Sequence, residues 1–328
     1  LKILKTKIMA FVVSTLTDYA KENEALLVTS SVLGSKTATL IKSQGNVLVG
    51  VKSSEKIGIM DTDAFFQDDS DCGFNASGTT TFTQRSVTVG KIKVQEALCP
   101  KGLESKYLQK ALSAGSMYDS IAFAADYTSR KSAKIASQLE TAIWQGDSAS
   151  ANGNLNKFDG FAKLVAAASA SVIHANASGY YGTPLAASAG ITSGVVVNVL
   201  DAVYKAIPAS IVDKDDVAIF VGNDVFRTYT IALKTSNLFN YTFDGQATGE
   251  LTLPGTTIKV IAVQGLNGTS KIYAGRISNL FIGTDLLNEE EQFELLHDPY
   301  AMNIKFMAAF KFGVQFAFPD EMVDFILA

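Results

Sequence analysis

The sequence predicts an α+β fold, and three patterns carry that prediction. Residues 117–146 repeat apolar and small side chains at three- and four-residue steps, with no Gly or Pro before Gly146. That is the period of one long helix. Residues 302–318 put Met302, Ile304, Phe306, Ala308, Phe310, Phe312, Val314, Phe316 and Phe318 at every second position. That is the period of a strand, about 55 Å long at 3.3 Å per residue, with a bend expected at Gly313. Between them, residues 195–284 alternate short helical and short strand patterns, as a compact α/β lobe does.

Composition narrows the function classes. The 328 residues are 47% hydrophobic and 18% charged, with 28 Lys+Arg against 32 Asp+Glu and a net charge of -4. This excludes intrinsic disorder and a chain that is basic throughout, as a nucleic-acid binder would be. Mean hydropathy is +0.18, yet no uncharged apolar run reaches the roughly 18 residues of a membrane span. Low charge with no membrane span points to surface covered by other protein chains. Cys72 and Cys99 form no CxxC motif and read as buried free thiols, with pairing left open; neither a disulfide scaffold nor a cysteine zinc site is expected. Two histidines, His174 and His297, leave little room for histidine metal sites or catalysis.

From the N-terminus, residues 1–56 carry eight lysines and four acids, a net of +4. They read as an extended arm with one short helix starting near Thr17. Few of them are patterned for a core within the chain, so the arm is expected to serve assembly rather than folding. Leu1 in place of Met leaves three readings: a start at Met9, a processed end, or a non-standard start codon. The apolar run 8–13 is too short for a signal peptide. Residues 57–84 contain no Lys or Arg and five aspartates, Asp61, Asp63, Asp68, Asp69 and Asp71. Thr79 to Phe82 is β-branched and aromatic, and residues 86–94 alternate polar and apolar, so 57–98 reads as a long β-hairpin with an acidic tip. The aspartates lack the spacing of an EF-hand loop and read as a solvated turn. The helix at 117–146 is stopped by Gly146 and carries Trp144, the single tryptophan, as a core anchor. Residues 147–193 are loop with a short helix near 160–168, the best boundary between two lobes. The α/β stretch reads as helix 195–207, strand 217–221, helix 225–233, strands 258–263 and 271–274 joined by a hairpin-type turn at Leu266-Asn267-Gly268-Thr269, and strand 278–283.

Catalytic signatures are missing from the sequence. There is no phosphate loop, no GxGxxG after a strand and no GxSxG elbow. Gly222-Asn223-Asp224 before a helix reads as an ordinary cap. His297-Asp298 has no nucleophile in motif form beside it. No cofactor and no metal is expected, and the chain does not read as an enzyme.

The order of parts is more specific than any single motif: basic arm, long hairpin, long helix, compact α/β lobe, very long final strand. The stretch Val89-Gly90-Lys91-Ile92-Lys93-Val94-Gln95-Glu96-Ala97-Leu98-Cys99-Pro100, the helix at 118–144 and the ending Phe306-Met307-Ala308-Ala309-Phe310-Lys311-Phe312-Gly313-Val314-Gln315-Phe316-Ala317-Phe318-Pro319-Asp320 carry a resemblance. The chain resembles the major capsid proteins of tailed bacteriophages, of the Hong Kong 97-type fold. The resemblance implies an N-terminal arm at 1–56 and an extended loop at 57–98 lying over a neighbouring subunit. It implies a peripheral domain at 99–194 with its spine helix at 117–146, an axial domain at 195–284, and a return to the peripheral domain at 285–328. It implies hexamers and pentamers of an icosahedral shell around double-stranded DNA, located in the virion and assembled in the host bacterial cytoplasm. Implied partners are the chain itself, portal, scaffold or protease, decoration or minor capsid proteins, and non-specific contact with packaged DNA, with no membrane. Some relatives join a loop Lys to an Asn of a neighbour; residues 57–84 here hold no Lys, so no such cross-link is expected. Two rival readings are an encapsulin-like compartment around an enzyme cargo and an enzyme with an α/β lobe.

Charge alternates along the chain: +4 over 1–56, -5 over 57–84, +4 over 85–110 and -6 over 285–298. Complementary patches of this kind fix register and partner choice. The expected subunit-interface residues are Lys2, Lys5 and Lys7 of the arm, the five aspartates of the loop, Arg85, Lys91 and Lys93 at the hairpin base, and Glu289, Glu290, Glu291 and Glu294. The basic arm or hairpin base of one copy is expected to meet the acidic 285–298 segment of another.

Overall fold

The computed structural model describes residues 30–67, 77–98, 120–235, 249–285, 292–298 and 303–328. Strand β12 (Asn303–Phe316) organises the first sheet. Along one edge it pairs antiparallel with β11 (Gln292–Asp298) and then with β10 (Leu280–Thr284). Along the other it pairs with β4 (Gly90–Leu98), and β1 (Val47–Val49) joins β10 in parallel. A second, six-stranded sheet runs β5 (Ile173–His174), β13 (Val323–Phe325), β9 (Ile272–Arg276), β6 (Val217–Gly222), β8 (Lys259–Val263), β7 (Glu250–Thr252). Strands β2 (Ser54–Thr62) and β3 (Thr80–Thr88) form a separate two-stranded ribbon. The helices are α1 (Lys36–Ser43), α2 (Ser120–Gln145), α3 (Phe161–Ala167), α4 (Val196–Ala206) and α5 (Asn223–Thr235).

The six-stranded sheet is covered on both faces, and its sequence shows why. Every residue of β6 is buried, so the run reads as continuously apolar rather than alternating. Val217, Ile219 and Val221 pack with the inner stripes of α4 and α5, including Val199, Val203 and Tyr229. Burial pushes the Tyr229 hydroxyl up to about 12. Ala218 and Phe220 face the other way, toward α2 and the long sheet. The stripe read from sequence along α2 is buried at Thr128, Ser132, Ile135, Leu139 and Ile143.

Trp144 joins these layers. Its ring stacks on Tyr273 at 5.7 Å and meets Phe220 at 5.1 Å and Phe161 at 5.4 Å. Its indole N–H donates to Thr37 Oγ1 at 2.9 Å, and Thr37 donates its hydroxyl and backbone N–H to Glu140 at 2.6 and 3.0 Å. Burial pushes the Glu140 carboxyl up against those hydrogen bonds, which hold it down. Gly265 is required opposite: a Cβ there would lie 2.4 Å from Trp144 Cδ1 and 2.3 Å from the Glu140 carbonyl oxygen.

Several expectations are corrected. Residues 1–56 are not all arm: Val32, Leu33, Ala38 and Ile41 belong to the main core, and Ser35 caps α1 by accepting from the Ala38 N–H. These apolar residues occur in a stretch too short for periodicity to mark it. Helix α2 does end at Gln145, at the stop read from Gly146, and that glycine also allows close approach, since a Cβ would sit 2.5 Å from the Ala142 carbonyl and 2.7 Å from that of Phe158. Strand pattern 86–94 is two strands that part at Val89, so the hairpin closes at Thr88 and β4 belongs to the long sheet. The turn at 266–269 does not make a hairpin, because the apolar β6 lies between β8 and β9 and pairs with both. Strand β10 leaves the compact lobe for β12, and β13 joins the compact lobe from the C-terminal segment. The bend expected at Gly313 is replaced by an unbroken ladder in which Gly313 opposes Gly283.

The last strand is clasped at β5. His174 Nδ1 lies 2.7 Å from Asp324 Oδ1, and Nε2 lies 3.0 Å from the Ser169 carbonyl. The Asp324 hydrogen bond pushes the imidazole above its ordinary 6.5. Burial also pushes the Asp324 carboxyl up, the hydrogen bond from His174 opposing it. The imidazole shift contributes stability that is complete below pH 6.5 and is lost as pH rises through the folded imidazole value, whereas the carboxyl shift acts in a lower window, complete only below pH 3.8. Denaturant midpoints should therefore decline above pH 6.5, and His174→Gln should flatten that decline. Removal of residues 1–56 should abolish cooperative unfolding, read by circular dichroism, because it strips Val32 and Ile41 from the core.

Candidate assembly surface

The β2–β3 ribbon is seated at its base by two glycines. Gly283 and Gly313 are cross-strand partners of β10 and β12. A Cβ on Gly283 would meet Val87 Cγ1 at 2.7 Å and Val89 Cγ1 at 3.1 Å; on Gly313 it would meet the Thr88 carbonyl oxygen at 2.2 Å. Val51, Val87 and Val89 fill that space and are buried. Gln315 Nε2 donates to the Ser86 carbonyl at 3.0 Å, and the Arg85 guanidinium lies over the Phe316 ring at 4.5 Å. Burial lowers the Arg85 pKa, and Asp320 nearby opposes the shift.

Beyond this base the described ribbon is mostly exposed. Nine cross-strand pairs run from Ser54↔Thr88 to Thr62↔Thr80. Only Ile59 and Val87 along them are buried. Met60 and Phe82 face each other directly across the ladder and stay 61% and 76% exposed. Past β2, Phe65 and Phe66 are 72% and 95% exposed. The end is held by Asp63, whose carboxylate accepts from the Thr79 N–H at 2.7 Å, and by Gly78 at φ +119. An isolated two-stranded ribbon is marginal in water, and four large apolar side chains on one add an exposed patch.

A groove of about 200 Å³ lies between α2 and the β4–β12 ladder. Its floor is Ile92, Val94, Ile135, Leu139, Ala142 and Phe310. Lys131, Lys134 and Lys157 rim it, while Lys93 lines it from β4, whose alternation turns the Lys93 side chain to the opposite face of the sheet. Lys131 pairs with Glu96, which also accepts from the Tyr127 hydroxyl at 3.0 Å. Lys131 holds the Glu96 carboxyl below the usual carboxylate range, with Tyr127 adding to the effect against desolvation. Lys93, Lys134 and Lys157 are exposed and have no ion pair among the described residues.

The expected interface residues scatter over this surface. Asp61 and Asp63 are exposed on the ribbon, and Lys91 and Lys93 are exposed on β4. Arg85 is instead half-buried over Phe316, inside its own chain. Glu294 is half-buried on β11, and Asp285 at the start of the acidic segment is buried against Lys311 at 3.1 Å. Lys2, Lys5, Lys7, Asp68, Asp69, Asp71, Glu289, Glu290 and Glu291 lie outside the described residues, as do Cys72 and Cys99. Lys131, Lys134 and Lys157 were not singled out by sequence. Their grouping depends on a helix lying over a sheet, and only the Lys131/Lys134 spacing hinted at a shared helix flank. Among the described residues no group of three or more His, Cys, Asp or Glu is placed to hold a metal, and no helix is long and apolar enough to cross a membrane.

No family model and no curated protein matches the chain in sequence. Solved structures do match. A chain of the satellite phage P4 procapsid including size determination (Sid) protein aligns with TM-score 0.56 and 14% identity, covering 94% of this chain and 100% of that one. A chain of the cyanophage A-1(L) capsid asymmetric unit aligns with TM-score 0.56 and 13% identity, over 88% and 92% of the two chains. The capsid of the empty GTA particle gives 0.53 and 14%, over 89% and 91%. This is the tailed-phage capsid fold. At these identities the capsid fold is shared through its element order and layering, as the resemblance implied.

The glycine seat gives a direct test within the capsid fold. Gly313→Ala should displace Thr88 and unseat the ribbon base, costing about 1–3 kcal/mol in urea unfolding. Gly58→Ala on the open ribbon, where nothing lies within 4 Å of the added Cβ, should cost less than about 0.5 kcal/mol.

Proposed function

We propose that this chain is a major capsid protein whose copies assemble as hexamers and pentamers into an icosahedral shell around the double-stranded DNA of a tailed phage. One observation carries the proposal: on a capsid fold, the outer ribbon leaves Met60, Phe82, Phe65 and Phe66 uncovered by their own chain. A repeating assembly covers such a ribbon with a neighbour in every copy. In this reading residues 57–88 are the extended loop, α2 with the long sheet including β4 and β10 is the peripheral domain, the six-stranded sheet including β13 with α4 and α5 is the axial domain, and 1–56 are an arm whose inner part is core. The chain has a structural role and no catalytic one. Its partners are itself, a portal, a scaffold or protease, decoration or minor proteins, and packaged DNA, in a virion assembled in the bacterial cytoplasm.

Electron microscopy of the purified chain tests this. Closed shells of uniform size are expected, and shells that co-purify with DNA rather than one enzyme favour the phage reading over a cargo compartment. A chain that stays monomeric under all assembly conditions overturns it. Because residues 57–84 contain no Lys, mature particles boiled in detergent should run as one band near 34.9 kDa. A reductant-resistant ladder would contradict that expectation.

A further inference from the structure

We infer that His174 and Asp324 form a proton-operated staple that holds the end of α3 on the edge of the six-stranded sheet. The staple is closed while the pair holds one proton more than a neutral imidazole and a carboxylate, and its α3 side opens without it. The inference does not depend on the shell reading. Helix α3 belongs to the layer around α2, where Phe161 and Val165 pack with Trp144. Strands β5 and β13 belong to the six-stranded sheet, and His174 and Asp324 are partners in register across them. Nδ1 reaches the Asp324 carboxyl at 2.7 Å, and Nε2 reaches back to the Ser169 carbonyl, just past α3, at 3.0 Å. One ring thus ties the two layers together.

Both neighbours of the ring are acceptors, and that fixes the proton count. A carbonyl oxygen has no hydrogen to give, so Nε2 must carry one to bond Ser169. Nδ1 then bonds Asp324 only if a proton lies between them, whether on the ring or on the carboxyl. Without that proton the neutral imidazole keeps a single N–H. The Asp324 side chain is 3% exposed, so its bare carboxylate takes that hydrogen, and Nε2 turns a lone pair toward the Ser169 carbonyl. The His174 side chain is 49% exposed, so the proton exchanges with solvent while the fold stays intact. The other groups facing the pair do not supply the missing hydrogen. Residues 168–172, Ala-Ser-Ala-Ser-Val, hold no titratable side chain. From β9, Tyr273 is the register partner of Asp324; its hydroxyl is buried with no hydrogen-bond partner among the described residues, and burial keeps it protonated. Lys271, at the start of that strand, favours the carboxylate by its charge.

Amide hydrogen exchange on the full chain tests the staple. The Ser171 and Val172 amides donate to the Ala168 carbonyl at 2.9 and 3.2 Å, on the α3 side, while the Ile173 and Ala175 amides donate to β13 at 3.0 and 2.7 Å. After correction for intrinsic rates, and relative to the amides of β6, protection at Ser171 and Val172 should fall about tenfold between about pH 6 and about pH 9, the effect of one lost hydrogen bond. Ile173 and Ala175 should hold. Asp324→Asn offers an amide hydrogen in place of the proton, so it should keep the parent's low-pH protection at high pH. His174→Gln should show no pH dependence at these amides. Equal protection at both pH values in the parent chain overturns the staple. A fall in Asp324→Asn as large as the parent's, or one in His174→Gln, does the same. Each outcome is read on the free chain or in shells, so failure of the staple leaves the shell reading standing.

Discussion

The structure depends on the burial of Trp144 against Tyr273, Phe220 and Phe161. Without it, α2 would lie on the long sheet alone, and the six-stranded sheet would have one bare face. The indole also has a polar end, which burial forces to find a partner. Thr37 supplies it, and Thr37 is itself held by Glu140 one turn before the tryptophan. A residue of the N-terminal segment thus satisfies the polar demand of the central helix. Gly265 supplies the remaining condition by leaving room for the ring. Four distant parts of the chain meet at one side chain, which explains why two sheets behave as one core.

Glycines set the other close approaches. Gly146 and Gly160 let the end of α2 meet the loop before α3, and Gly90 lets β4 begin against Lys157. At Gly283 and Gly313 the sheet surface is lowered so that valines of the ribbon base can sit on it. None of these five needs a left-handed backbone; each needs the absence of a side chain. That distinction separates what the sequence could show from what it could not. Gly146 was visible as punctuation after a helical period, but its partner Gly160 was not, because close approach is a tertiary event.

Strong periodicity was legible and weak periodicity was not. The α2 stripe and the alternation of β12 appear in the structure as read, since each runs long enough for one face to dominate. The second half of β12 is buried on both faces, so Lys311 and Gln315, which alternate with the apolar positions, also lie inside. Lys311 is tolerated there because Asp285 meets its charge. Short elements gave no such signal: β1, β5 and β13 have two or three residues each, and their sheet partners are set by folding over long sequence distances. The groove was illegible for the same reason. Its lysines come from β4, α2 and the loop after it, and only the packing of helix on sheet assembles them. The hairpin's acidic, aromatic end was legible because all of it lies in one continuous stretch.

The long ladder of β12 has a mechanical meaning. Its hydrogen bonds run perpendicular to the strand on both edges, to β4 on one side and to β11 and β10 on the other. A pull along the strand axis loads these bonds in shear and nearly all at once, so the sheet resists stretching as a beam does. Among the described residues the β2–β3 ribbon is bonded only to itself beyond its glycine seat. A sideways force on its end meets one thin ladder and bends it. The chain therefore joins a stiff member to a compliant one, with Gly283 and Gly313 as the joint.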